Sequence, residues 1–239
     1  MTAPLDIKQA GQTWTFTLQR ADKLNALDAE LVDDLIQGVD RAHAACARLL
    51  VFRGAGRSFC AGFDLDEFER QSAGDLLLRF VRIEQLLQAI AGSPAQTLAL
   101  AHGKIFGAGV DLFAACKQRI AAPESTFRMP GLKFGLVLGT RRFGEIVGPA
   151  KAREILEQTS TFSAQQALDM HFARAIVAQQ DWDQEVRATA ATSDALDDLT
   201  RKQLYRVLHR AQDEADLADL VRSAARPGIH DRLRQYLGK

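Results

Sequence analysis

The chain has 239 residues, enough for one large domain or two small ones with a real buried core. Apolar residues make up 47% and charged residues 25%, and thirty basic side chains cancel thirty acidic ones. That balance argues against a nucleic-acid partner and against a charged tail, but allows a local cationic patch for a phosphorylated ligand.

Cys46, Cys60 and Cys116 are odd in number and form no Cys-x-x-Cys, so neither a disulfide framework nor a zinc site is expected, and a reducing cytoplasm fits. The opening MTAPLDIKQAGQTW has no charged start followed by an apolar run, so no signal peptide is predicted. No window approaches ~18 uninterrupted apolar residues, and no membrane span is expected.

Strand and helix patterns alternate along the first part of the chain. TWTFTLQR (13–20) alternates with period two and reads as a strand. In 28–45, Leu31, Leu35, Val39 and Ala42 fall on one helical face behind Asp28, a candidate N-cap. RLLVFRG (48–54) reads as a buried strand, 75–92 as a helix stopped by Gly92, and QTLALAHG (96–103) as another buried strand. A helix comes next over 107–117 and a strand over 118–122. This order predicts α/β layering with helices outside a sheet core of about 145 residues.

From about Pro149 the pattern turns helical: 148–158, 163–170, 181–191, 194–212, then 213–239 with a break at Arg226–Gly228, and one short strand at 173–178. No low-complexity linker separates the parts, so close packing of the two is expected.

Several familiar motifs fail. GAGRSFCAG (54–62) would be a dinucleotide fingerprint only if position 59 were glycine, and it is Phe59. There is no Walker A sequence, no G-x-S-x-G elbow, and no metal-ligand spacing among the histidines. His102 reads as a structural histidine. Cys60 and Cys116, in small or apolar surroundings, read as core, as do Phe59, Phe106 and Phe113, with Phe106 the one placed to line a pocket.

Two glycine turns carry the chemical signal. In RGAGRSFCAGFDLDEF (53–68), Gly62 brings main-chain N–H groups close to a ligand, and Asp64 can cap a helix starting after it. In AHGKIFGAGVDLFAAC (101–116), Gly103, Gly107, Ala108 and Gly109 leave the backbone nearly bare as a helix begins. Free N–H groups at a helix start favour developing negative charge, and two such turns facing each other would make an oxyanion hole.

Together these segments resemble the crotonase superfamily, the enoyl-CoA hydratases and isomerases. LQRADKLNALDAELVDDL is similar to the family's first strand, CoA-contacting loop and first helix, and GAGRSFCAGFDLDEF to its first oxyanion segment. AHGKIFGAGVDLFAACKQRIAAPESTFRMPGLKFGL is similar to its second, and 139–177 to the stretch after it. The resemblance implies a ββα spiral core over 1–180 and a helical C-terminal trimerisation region over 181–239. It implies an acyl-CoA substrate, coenzyme A being part of the thioester with no tightly bound cofactor or metal, and a trimer or hexamer. The thioester oxygen would be held by the N–H groups of Phe63 and Ala108, with CoA contacts at Lys23, Leu24, Ala26, Ala61, Asp64 and Gly107. Lys23 either favours a phosphate or is an ordinary surface lysine.

Asp111 stands where typical hydratases carry their first catalytic glutamate, and a carboxylate there suits general acid–base work. The second glutamate's place, in FRMPGL (127–132), is Gly131, and the loop after it, 135–143, is about three residues short. Adding water to a double bond needs one group to activate the water and another to protonate carbon. With one carboxylate, a 1,3-proton shuttle in an enoyl-CoA is the best match. Hydration, decarboxylation, hydrolysis and a non-catalytic CoA-binding oligomer are the alternatives. Arg128 and Lys133 flank the gap at Gly131 and could hold a substrate carboxylate, reshape the pocket, or be solvated or paired.

Overall fold

The computed structural model describes residues 3–209 and 212–238. Strands β1 (Leu5–Ala10) and β2 (Thr13–Leu18) form an antiparallel hairpin, and helix α1 (Ala29–Ala44) comes after it. Asp28 caps α1 by accepting from the Leu31 N–H at 2.9 Å, worth ~1 kcal/mol, and Leu31, Leu35, Val39 and Ala42 are buried as their spacing predicts. Strand β3 (Leu49–Gly54) leads to α2 (Ala73–Ala91), which starts two residues before the predicted Asp75. The reason is a capping box: Ser72 caps the helix, and Asp75, as its third residue, reaches back to the Ser72 N–H.

Strands β4 (Gln96–Ala101) and β5 (Lys104–Phe106) precede α3 (Ala108–Ala115), and β6 (Gln118–Ala121) and β7 (Thr126–Arg128) succeed it. Helices α4 (Thr140–Val147) and α5 (Pro149–Gln158) come next, α4 beginning inside the 135–143 segment that the sequence reads as a loop. Then come β8 (Phe162–Ser163), α6 (Ala164–Asp169), β9 (Ala175–Ile176), α7 (Trp182–Asp194), α8 (Asp198–Leu208), α9 (Asp213–Ala224) and α10 (Ile229–Leu237). The helix expected over 194–212 starts only at Asp198, capped by Asp197, and its expected course through 210–211 lies outside the described residues, as do 1, 2 and 239.

The main sheet has the order β1-β2-β3-β4-β6-β9, all parallel after the first hairpin. Leu49–Phe52 and Gln96–Ala101 are buried throughout, which explains why these strands read as continuous apolar runs. A second sheet, β5-β7-β8, is built from strands too short to show a period. Under it Phe113, Phe127, Phe143, Phe162 and Phe172 pack ring on ring, with centroids 5.1–6.1 Å apart. This cluster clamps α3, all eight residues of which are buried.

Candidate active site

The two glycine turns meet. Cys60 and Ile105 form an isolated parallel bridge, and the Phe106 N–H donates to the Cys60 carbonyl at 3.0 Å. Gly62 makes the approach possible: its φ is +87°, and a Cβ there would lie 2.4 Å from the Phe106 carbonyl oxygen and 3.0 Å from the Ala108 nitrogen. The loop at 21–27 joins the same turn. Ala61 N–H donates to Leu24 O at 2.9 Å, Leu27 N–H to Gly62 O at 2.7 Å, and Asp64 N–H to Leu27 O at 3.0 Å. Buried Asn25, which the sequence reading passed over, pins the loop by donating to the carbonyls of Ala55 and Ser58.

Phe63 and Ala108 line one cavity of about 120 Å³ with Ala61, Phe106, Gly107 and Asp111. The amides flanking this pair are spent: Asp64 N–H goes to Leu27, and Gly107 N–H donates to Arg128 O at 2.8 Å. Among the described residues, the N–H groups of Phe63 and Ala108 have no internal acceptor. Helix α2 holds the first turn in place. Phe80 stacks on Phe63 with centroids 4.3 Å apart, and the Arg79 guanidinium lies 4.0 Å above the Phe63 ring and donates to Asp64 O at 2.8 Å.

Asp111, on the first turn of α3, is 3% exposed, and its Oδ1 has no hydrogen-bond partner among the described residues. Burial holds this carboxyl well above the usual carboxylate range; nearby Arg142 opposes the shift and Glu84 adds to it. The backbone of Gly139 lies directly against it: φ there is +61°, and a Cβ would fall 1.9 Å from Asp111 Oδ1. Gly139 is the N-cap of α4, so the helix absent from the sequence reading begins on the carboxyl. Behind it, buried Glu84 accepts from Arg142 at 3.3 Å, and Arg141 grips Asp216 through Nε and Nη2.

Other predicted residues fall elsewhere. Asp64 caps no helix; it is buried, 2.8 Å from Arg20, and accepts the Asp66 N–H in a local turn. Only a short 3₁₀ turn comes after it, at Phe68–Arg70. Lys23 is exposed and paired with Asp66 at 2.6 Å, which raises its pKa. Lys133 is exposed and does not line the cavity, whereas Arg128 does. His102 is structural: buried, with Nε2 2.9 Å from the Gly56 carbonyl. Burial pushes the thiols of Cys60 and Cys116 up to about 12, so neither is a nucleophile at neutral pH. Phe59 and Phe113 are core, and Phe106 lines the cavity. Sequence reasoning missed Thr140 and Tyr236, which close the cavity from α4 and α10. Their distance along the chain gives no local signal. Among the described residues no cluster of acidic, His or Cys side chains fits a metal, and no helix is long and apolar enough to cross a membrane.

Residues 10–223 match the enoyl-CoA hydratase/isomerase family. A Mycobacterium tuberculosis protein named "Probable enoyl-CoA hydratase echA6" is 34% identical over 177 residues, 72% of this chain and 70% of its own. A crystal structure from Bordetella parapertussis, whose name places it without a proven reaction among the enoyl-CoA hydratases/isomerases, shares 57% identity over the whole of both chains with a TM-score of 0.98. A Thermobifida fusca relative solved with acetoacetyl-CoA superposes with a TM-score of 0.79 at 24% identity, over 98% of this chain and 96% of that one, a likeness of fold. The chain therefore has the crotonase fold and is an enzyme of the enoyl-CoA hydratase/isomerase family.

Proposed function

We propose that the enzyme stabilises the enolate of an acyl-CoA thioester and moves a proton with a single carboxyl, so that isomerisation of an enoyl-CoA is its best-matched reaction. The carrying observation is the pairing, on one cavity wall, of two backbone amides and a buried carboxyl that have no hydrogen-bond partner among the described residues. The N–H groups of Phe63 and Ala108 donate to the thioester oxygen, where charge develops as the α-proton leaves. Asp111, as its carboxylate, takes that proton, strengthened as a base by its burial, and returns it to the γ-carbon. Bonds and charge balance: one C–H breaks, one forms, the double bond shifts and the carboxylate is restored.

Hydration needs a second acid–base group, and position 131 offers none. Among the described residues, Asp111 is the only acidic side chain lining the cavity. Ala61 and Gly107 line the cavity, and Leu24 and Ala26 belong to the loop bonded to the Ala61 turn; CoA would enter along them. Lys23 beside Asp66 would be the phosphate contact, and Asp64, held by Arg20, would adjoin the adenine. A trimer or hexamer built on the C-terminal region, 181–239, would cover the exposed Leu199, Leu204, Val207 and Leu208 of α8, beside a surface cleft of about 1210 Å³ that Asp111 does not line. Incubation with 3-enoyl-, 2-enoyl- and malonyl-type CoA thioesters, with products followed by mass, tests the reading. Interconversion of 3-enoyl and 2-enoyl thioesters is expected. Turnover of none of them, with CoA still bound, would leave a CoA-binding oligomer instead.

A further inference from the structure

Resting on that acyl-CoA reading, the geometry points to a substrate class: a short acyl-CoA whose acyl chain ends in a carboxylate, held by Arg128. The cavity wall is otherwise largely apolar, built from Phe63, Phe80, Phe106, Met129, Leu138 and similar side chains. Among the described residues, only Asp111 and Arg128 on it are formal charge carriers. An arginine keeps its charge inside a protein. The cavity wall therefore carries a guanidinium that forms no ion pair with Asp111 or with any other described residue.

The residues around Arg128 say what the balancing group is. Arg128 ends β7 opposite Phe106, in register, and its carbonyl holds the Gly107 N–H, so its backbone adjoins the Ala108 turn. Its Nε donates to the Thr159 carbonyl at 3.4 Å, at the end of α5, whose Leu156 also lines the cavity. Among the described residues no carboxylate pairs with Arg128. Among the described residues its two amino groups have no acceptor, and such a fork matches a planar carboxylate, which accepts from a guanidinium at two oxygens. Gly131 leaves the neighbouring position without a carboxylate of the protein's own. Size bounds the chain: an apolar cavity of roughly 150 Å³ takes a benzene-sized guest, and this one is about 120 Å³.

The test needs no turnover. S-(3-carboxypropyl)-CoA and its uncharged terminal amide, both unreactive thioethers, are titrated calorimetrically into the wild-type protein. The carboxylate is expected to bind ~10–100-fold more tightly, the range of hydrogen bonds to a charged group. Arg128→Gln should erase that ratio while leaving amide affinity in place, and Arg128→Lys should keep part of it, as a point charge without the fork. Equal binding of the two ligands by wild type overturns the inference but spares the acyl-CoA reading. Binding of neither overturns both. If Arg128→Gln fails to fold, the wild-type ratio still decides, and Arg128→Lys gives the second reading of it. A variant that melts earlier but keeps the ratio would make Arg128 a cap of α5 and refute the assignment.

Discussion

Residues 61–65 read Ala-Gly-Phe-Asp-Leu and residues 108–112 read Ala-Gly-Val-Asp-Leu, yet the two turns do different things. In the first, the chain stays extended and pairs with Leu27, and the aspartate is locked to Arg20 in a structural ion pair. In the second, Gly107 turns the chain into a helix, and the aspartate faces a cavity with one oxygen unpaired. The same letters become an ion-paired scaffold in one place and a cavity-facing carboxyl in the other. Neighbours from other elements decide which: Arg20 and Arg79 for the first aspartate, Gly139 and the apolar wall for the second.

The contrast is probed most forcefully at the two aspartates. Asp111→Asn keeps the shape but removes the proton carrier, so kcat should fall ~10²–10⁴-fold with the melting temperature preserved at mildly acid pH. Retention of full activity would remove Asp111 from the mechanism. Ala108→Pro comes next. Proline suits the first helical position, whose N–H has no internal partner, so α3 should survive while kcat drops by ~10²–10³-fold. Circular dichroism and initial rates on one preparation separate the two effects. Asp64→Asn should do the opposite of Asp111→Asn: activity within a few-fold of wild type, but stability lower by ~2 kcal/mol in urea unfolding, for a lost charged hydrogen bond.

The smallest effect is the pH dependence of stability. Asp111 keeps its proton in the folded state to a pH above the unfolded value of about 3.9. Folding then binds a proton over that window. The stability gained at low pH is lost as pH rises from about 4 until the folded group ionises. Glu84 is raised by burial too and contributes with the same sign, so the difference between wild type and Asp111→Asn isolates Asp111. Wild type should lose melting temperature relative to the variant as the buffer goes from mildly acid to alkaline. A difference that stays constant or changes sign would mean that Asp111 is ionised throughout.

Periodicity alone placed the long elements: the stripe on α1, the buried runs of β3 and β4, and the helical C-terminal part. Local forces dominate there, since a side chain's spacing tells which face is buried. The short strands β5, β7 and β8 and helix α4 were beyond that reasoning. Two or three residues show no period, and α4 carries arginines whose partners, Glu84 and Asp216, lie far away in the chain. For the site, the glycine turns were visible because a bare backbone before a helix has few uses, and Asp111 was picked out by the resemblance to the crotonase family.

The order of residues was thus enough for the family and the layered α/β pattern, and it named candidate groups for the site. Their company came from the folded chain alone: Phe63 and Ala108 share a wall, Asp64 is already occupied, and among the described residues Asp111 is buried with an unpaired oxygen and Arg128 forms no ion pair. Burial and charge pairing are set by segments tens of residues apart, and no local pattern encodes how those segments close on one another.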